Sequence, residues 1–154
     1  MMEKPNVFQL SFIGLIIVNF LNIAEQSFCG ITEWIHLLIL KFHRNYDIFQ
    51  GFNLNDGTIM LILLAFLIIL IIVGTLVFLE IRWSTDLAVI IAIFDFFYGI
   101  AHVIAGIYFR AYFPGAITAI LLIMVGFLVL YFYYLMKHPL KKEGEEETEI
   151  KQFT

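Results

Sequence analysis

Amide and ionisable side chains recur at helical spacing within an apolar stretch near the start of the chain. Separated by three or four residues, they are Asn19, Asn22, Glu25, Gln26 and Cys29. Residues at this spacing lie along one stripe of an α-helix. A carboxylate among amides can hold a proton, bind a polar headgroup or contribute to a metal site.

A later apolar stretch carries a second group of polar side chains. Asp95 and His102 are seven residues apart, two turns along one helical face, which Tyr98 shares. If the stretch crosses a membrane, each ionisable group costs about 2.5–3.5 kcal/mol on insertion scales. At about 1.5 Å per residue, Glu25 and His102 lie at similar depths. We therefore expect one polar pocket, with Glu25 as base or anion and His102 as acid or proton shuttle.

Further side chains are expected to bind a ligand beside this catalytic pair. They are Asn22, Gln26, Asp95, Tyr98 and Arg110. The same polar residues have a second interpretation, as groups that join helices by hydrogen bonds. The sequence identifies no cofactor.

The composition indicates that these stretches cross a membrane. The 154 residues are 62% hydrophobic and 14% charged, against about 45–50% and about 25% in soluble domains. Soluble enzymes and disordered regulators are excluded, and no basic cluster is large enough to bind nucleic acid. The single cysteine excludes an internal disulfide.

Four segments are long enough to span a bilayer, which takes about 20 apolar residues. Helices are expected at about 7–28, 58–79, 87–109 and 115–136. The predicted fold is an all-α, integral membrane four-helix bundle over residues 1–136, with both termini on the same side. Between the first two spans, residues 31–40 either extend the first helix or lie along the interface, and Lys41 to Gly57 is polar and turn-prone.

The distribution of Lys and Arg predicts the orientation. Four spans place six of these residues on the side of the termini and three on the other side. The positive-inside rule then places both termini in the cytoplasm. Residues 137–154, which carry five of the thirteen acids in their last twelve positions, are expected to form a charged, disordered cytoplasmic tail.

The polar motifs resemble those of the HXXEE-motif family of small multi-pass membrane proteins, a family of unknown function. The resemblance rests on Asn22-Ile-Ala-Glu25-Gln26 in the first span and on the region from His102 through Arg110 to Tyr112-Phe-Pro-Gly115. The family signature is His-x-x-Glu-Glu, so here Asn22 stands in place of the His and Gln26 in place of the second Glu. If the family motif binds a metal, only Glu25 and His102 carry over, which is few for a tight site.

The Pro114-Gly115 pair predicts a tight turn, so that the third and fourth spans are antiparallel neighbours. Gly99 and Gly106 would let another helix approach the third span closely. Arg110 is expected at the outer surface, within reach of a phosphate headgroup.

Two functions from different classes follow from this reading. The first is binding of a lipid-like or other small molecule in the polar pocket, with acid–base catalysis as an extension. The alternative is a non-enzymatic subunit of a larger membrane complex, in which the polar residues join helices. The expected partners are the lipid bilayer, a lipid-like ligand, and a second copy or a partner membrane subunit.

Overall fold

The computed structural model describes residues 6–46, 56–110 and 112–138, and these residues form five helices and no strand. The helices are α1 (Val7–Phe28), α2 (Ile31–Tyr46), α3 (Asp56–Phe78), α4 (Ser84–Phe109) and α5 (Ala116–Lys137). This confirms the predicted all-α class. Apart from its first two residues, the predicted tail lies outside the described residues.

Four of the helices, α1, α3, α4 and α5, are long and apolar enough to cross a bilayer. The outer surface of α3 shows why water is not their solvent. Leu61, Leu64 and Ile72 are each more than half exposed. Because lipid tails solvate such side chains without penalty, the chain is an integral membrane protein of four spans.

Local chemistry sets where the helices begin. Asn6 and Gln9 form a reciprocal capping box at the start of α1, in which each side chain bonds the other residue's backbone N–H at 2.9 and 2.8 Å. Helix α4 begins at Ser84, three residues before the expected Leu87. Asp86 lies in the first turn of α4, where a carboxylate complements the helix dipole.

Residues 31–46 form a separate helix, so they do not extend the first helix. Gly30 adopts a left-handed φ of +69°, so the chain leaves the axis of α1 at this residue. Helix α2 then continues to Tyr46, past the start of the expected turn region, because no glycine or proline occurs before Gly51. The Trp34 ring packs edge-on against Phe109 and Phe113, with centroids 5.6 and 5.7 Å apart, and so holds α2 against the bundle.

Helices α4 and α5 are neighbours that approach closely at small residues. A Cβ atom added to Gly99 would lie 2.8 Å from the carbonyl oxygen of Ala119. One added to Gly126 would lie 3.3 Å from that of Ala92. Small residues therefore bring the two backbones together, as in other membrane helix pairs.

The four spans form a square in which α1 and α4 occupy opposite corners. Helix α1 packs along α3 and α5, and α4 packs along the same two helices, most extensively along α5. The fully buried apolar side chains at the centre include Phe12, Leu15, Leu70, Leu122 and Val129. Polar side chains of α1 and α4 therefore contact one another across the interior of the bundle.

Candidate functional site

The amide stripe of α1 faces the interior of the bundle. Asn19, Asn22 and Gln26 are each no more than 3% exposed. Two of these side chains reach α4 directly. Asn19 donates to Asp95 Oδ2 at 2.7 Å, and Gln26 donates to the Tyr98 hydroxyl at 2.8 Å.

A chain of hydrogen bonds from the turn before α5 orients the two amides. The carbonyl of Gly115 can only accept, so the Asn22 group 3.2 Å from it is the NH₂. Asn22 Oδ1 then accepts from Gln26 Nε2 at 2.6 Å. This orientation leaves Gln26 Oε1, which is buried, without a partner among the described residues.

The same logic assigns the proton of His102. Its Nδ1 lies 3.2 Å from the carbonyl of Tyr98, which can only accept, so Nδ1 carries the hydrogen. Its Nε2 therefore carries no hydrogen and faces the Gln26 NH₂ group at 3.2 Å. The two hydrogens of that group are shared among Asn22 Oδ1, the Tyr98 oxygen and His102 Nε2. This pattern corresponds to a neutral imidazole whose tautomer is set by backbone on one side and by an amide on the other.

Glu25 points in a different direction and caps helix α5. Its carboxylate accepts from the backbone N–H groups of Ile117 at 3.3 Å and Thr118 at 2.9 Å, and from the Thr118 hydroxyl at 2.6 Å. The Tyr112 hydroxyl also donates to it. Gly115, the N-cap of α5, has no side chain of its own to supply this bond. A carboxylate here satisfies free N–H groups and complements the positive end of the helix dipole.

The structure thus gives Glu25 and His102 separate hydrogen-bond partners. Adjacent residues on a helix point about 100° apart, so Gln26 faces α4 while Glu25 faces α5. Asn22, Gln26, Tyr98 and His102 form one connected network. Glu25 joins that network only through Thr118, which also accepts from Asn22 at 2.7 Å.

Tyr112 lies between α4 and α5, at the end of the bundle where Glu25 is bound. Partial desolvation, together with the hydrogen bond to Glu25, raises the pKa of the Tyr112 phenol. The phenol therefore keeps its proton and remains a donor to the carboxylate. The exposed thiol of Cys29 lies 3.7 Å from the Tyr112 oxygen.

Asp95 is the most deeply buried carboxylate of the described residues, at 1% exposure. Asn19 bonds its Oδ2 atom, but its Oδ1 atom has no partner there. The structure gives Asp95 no ion pair with any described residue. An unpaired polar atom in this position is energetically costly.

Two cavities border this network on the side of α3. The larger, of about 380 Å³, lies among α1, α2, α3 and α4, and its wall includes Gln26, Tyr98 and His102. The smaller, of about 300 Å³, has Asn19 and Asp95 in its wall. They share three lining residues, namely Ile62, Leu63 and Tyr98. The two cavities are therefore neighbouring parts of one cleft, which we call the α3 cleft.

The predicted ligand-binding residue Arg110 lies away from the cleft, and the described residues form no metal site. Arg110 is exposed, ends α4 with a left-handed φ of +49°, and lines neither cavity. In the described part of the chain, no three His, Cys, Asp or Glu residues lie close enough together to hold a metal ion.

Sequence reasoning missed Thr118 and Tyr112, which complete the Glu25 site. Thr118 lies in the apolar segment for which the sequence predicts only a membrane span. A hydroxyl three residues after Gly115, in the first turn of an otherwise apolar helix, was the signal that could have identified it. Tyr112 belongs to the motif that carries the family resemblance, but its contact with Glu25 depends on how the turn folds back on α1.

A bundle of four apolar helices around a buried polar network defines a multi-pass helical membrane protein. Residues 12–130 match the model of a family described as protein of unknown function with HXXEE motif. Because the match covers most of the chain, the chain belongs to this family, as the sequence resemblance implied. Neither the curated proteins nor the solved structures compared with it contain a match.

Proposed function

We propose that the protein binds a lipid-like, amphipathic small molecule in the α3 cleft. The observation that carries the proposal is the unpartnered Oε1 of Gln26, a fully buried side chain in the wall of an otherwise apolar cavity. A buried acceptor without a partner costs about 1–3 kcal/mol. A hydroxyl or N–H group on a ligand would remove this cost.

The size and lining of the α3 cleft support a small amphipathic ligand. Its larger part, at about 380 Å³, falls within the usual range of about 300–1,000 Å³ for small-molecule sites. Ile59, Ile62 and Leu63 supply an apolar wall, while Tyr98 and His102 stand beside Gln26 at the polar end. Such a lining favours a molecule with an apolar body and one polar group.

The exposed position of Ile62 supports entry from the bilayer. Ile62 lines both parts of the cleft and is 55% exposed on the lipid-facing side of α3. Because the surrounding solvent is hydrocarbon, a ligand dissolved in the membrane reaches this mouth without crossing water.

The proposal is one of binding and includes no acid–base reaction. Glu25 caps α5, and His102 is held between an amide and a backbone carbonyl, so neither is set against the other as acid and base. The helix-joining role that the alternative gives to the polar residues is supported for part of the network. Asn22, Glu25 and Thr118 join α1 to α5 with every bond made inside the chain.

The test uses native mass spectrometry of the purified protein in mild detergent, with extraction and identification of any bound molecule. Ala105→Leu adds bulk to the wall of the larger cavity, and Ala65→Leu adds the same bulk on an exposed face of α3 away from it. We expect the wild type and Ala65→Leu to retain a stoichiometric small molecule and Ala105→Leu to lose it. Ala101→Leu, also in the cavity wall, serves as a second blocking variant if Ala105→Leu does not fold.

Two results would refute ligand binding. One is a wild-type protein without a bound molecule that instead co-purifies with another membrane chain, which would support the structural alternative. The other is equal retention by Ala105→Leu, Ala101→Leu and Ala65→Leu, which would place the bound molecule outside the cleft.

A further inference from the structure

The smaller part of the α3 cleft has a chemistry that the larger part lacks. Its wall combines the buried carboxylate of Asp95 with the rings of Phe66, Phe94 and Tyr98. Asp95 Oδ1 has no hydrogen-bond partner among the described residues. Two buried oxygen atoms of cleft-lining residues, Gln26 Oε1 and Asp95 Oδ1, have no partner among the described residues, and both are acceptors. The Tyr98 hydroxyl accepts from Gln26 and keeps its own hydrogen to donate.

This pattern of free acceptors restricts what the cleft can recognise. Acceptors select donors, so a ligand group that only accepts, such as an ester or a carboxylate, satisfies neither of these two oxygen atoms. A carboxylate within hydrocarbon also lacks any described cation to balance it, and an unpaired charge is far more costly to bury than an unpaired amide. The group that satisfies both requirements is a cationic donor.

The aromatic side chains around Asp95 support the same choice. The Phe66 and Phe94 rings have centroids 6.5 Å apart and both line the cavity. Aromatic faces attract ammonium groups, by about 2 kcal/mol or more where water is excluded. A carboxylate that shares a cavity wall with two phenyl rings is a suitable receptor for an alkylammonium ion.

We propose that the ligand of the α3 cleft is a lipophilic amine, whose ammonium group binds Asp95 in the smaller cavity, beside the Phe66 and Phe94 rings, and whose apolar body fills the cleft. The inference rests on the proposed ligand-binding function and specifies its ligand class. The ammonium donates to Asp95 Oδ1 and supplies the positive charge that the surrounding protein does not.

The experiment compares two probes that differ only in the polar group, dodecylamine and dodecanol. Each is titrated into the full-length protein in a non-ionic detergent, and bound fractions are read by native mass spectrometry. We expect the wild type to bind the amine about ten-fold more tightly than the alcohol. Asp95→Asn keeps the shape of the side chain and its bond to Asn19 but removes the charge, so it should bring the ratio close to one while the alcohol binds as before.

A matched control and a second variant secure the interpretation. Asp86→Asn makes the same charge change at an exposed site on the same helix and should leave the ratio near ten. Phe94→Leu, at an exposed position where the fold tolerates change, should reduce the ratio several-fold. If Asp95→Asn does not fold, the amine-to-alcohol ratios of the wild type and of Phe94→Leu test the amine inference.

The outcomes separate this inference from the function on which it rests. If both probes bind equally to the wild type and Ala105→Leu abolishes both, the cleft binds ligands but the amine inference is wrong. An Asp95→Asn protein that keeps the full amine preference would overturn it as well. Failure of both probes to bind, or binding that Ala105→Leu does not affect, would refute the binding function itself.

Discussion

At Gly115 the backbone conformation and the buried polar network depend on one another. The residue adopts a left-handed φ of +87°, and its carbonyl orients Asn22. A Cβ atom there would lie 2.9 Å from Gln26 Nε2 and 3.0 Å from Asn22 Nδ2. Only glycine meets both the conformational and the steric requirement.

We predict that Gly115→Ala lowers the free energy of unfolding by about 2–3 kcal/mol, because left-handed strain of about 1–2 kcal/mol adds to the displacement of two amides. Gly30→Ala shares the left-handed φ but meets no atom within 4 Å, so it should cost about 1 kcal/mol. Unfolding in mixed micelles with increasing SDS measures both. Equal losses in the two variants would show that the contacts with Asn22 and Gln26 carry no energy.

The residue types of the site could be predicted from the sequence better than their partners. The stripe of Asn19, Asn22 and Gln26 is buried, as spacings of three and four require. The expected pairing of Glu25 with His102 as acid and base assumed that α1 and α4 pack side by side. They occupy opposite corners instead, and a single helical step turns Glu25 toward α5, which no spacing within α1 reveals.

At the scale of the elements, the start of the last helix depends on the first. Helix α5 has a glycine as its N-cap and therefore lacks the side chain that usually accepts from the free N–H groups. Glu25 of α1 supplies that acceptor to Ile117 and Thr118. The start of α5 is thus stabilised by a residue of α1 that is far away in the sequence.

We predict that Glu25→Ala destabilises the bundle by about 1.5–3 kcal/mol, the usual range for a hydrogen bond to a charged group. Glu25→Gln should cost less than Glu25→Ala, because it keeps one of the two accepting oxygens, although it loses the bonds to the other oxygen and the charge that complements the helix dipole. Hydrogen exchange should speed up at the amides of Ile117 and Thr118 in Glu25→Ala. Glu33→Ala, which removes an exposed carboxylate of α2, is the control, and similar exchange in both variants would contradict the capping role.

The elements themselves followed from hydropathy more readily than the connections did. An apolar run of about 20 residues identifies a span whatever its neighbours are. Helix α2 is shorter and amphipathic, so its sequence left two placements open. Its position depends on Trp34 meeting Phe109 and Phe113, residues more than 70 positions away, and no local pattern encodes that contact.

On the scale of the whole molecule, the helices pack more closely on one side of α4 than on the other. This difference determines where the α3 cleft lies. Helices α4 and α5 approach closely at Gly99 and Gly126. Helix α3 is dominated by Leu and Ile, whose bulk keeps it further from α4. The cleft therefore lies between α3 and its neighbours rather than at the centre of the bundle.

We predict that Cys29 and Arg82 lie on opposite sides of the membrane, with Arg82 in the cytoplasm together with both termini. Cys29 follows α1 and is exposed, while Arg82 is exposed in the turn before α4. A membrane-impermeant maleimide added to the outside of sealed vesicles should label the natural Cys29. Arg82→Cys in a Cys29→Ala background should react only after permeabilisation. The reverse pattern would invert the orientation, and labelling of both from outside would refute the four-span arrangement.

The bond between Glu25 and the start of α5 also has a consequence for synthesis. The ribosome releases α1 first and α5 last, so Glu25 enters the lipid before the amides that receive it exist. A chain that ends after α4 keeps a carboxylate in its first span but lacks the N–H groups of α5 that would donate to it. Glu25 therefore gains these hydrogen bonds only after the last span has been made and has packed against the first.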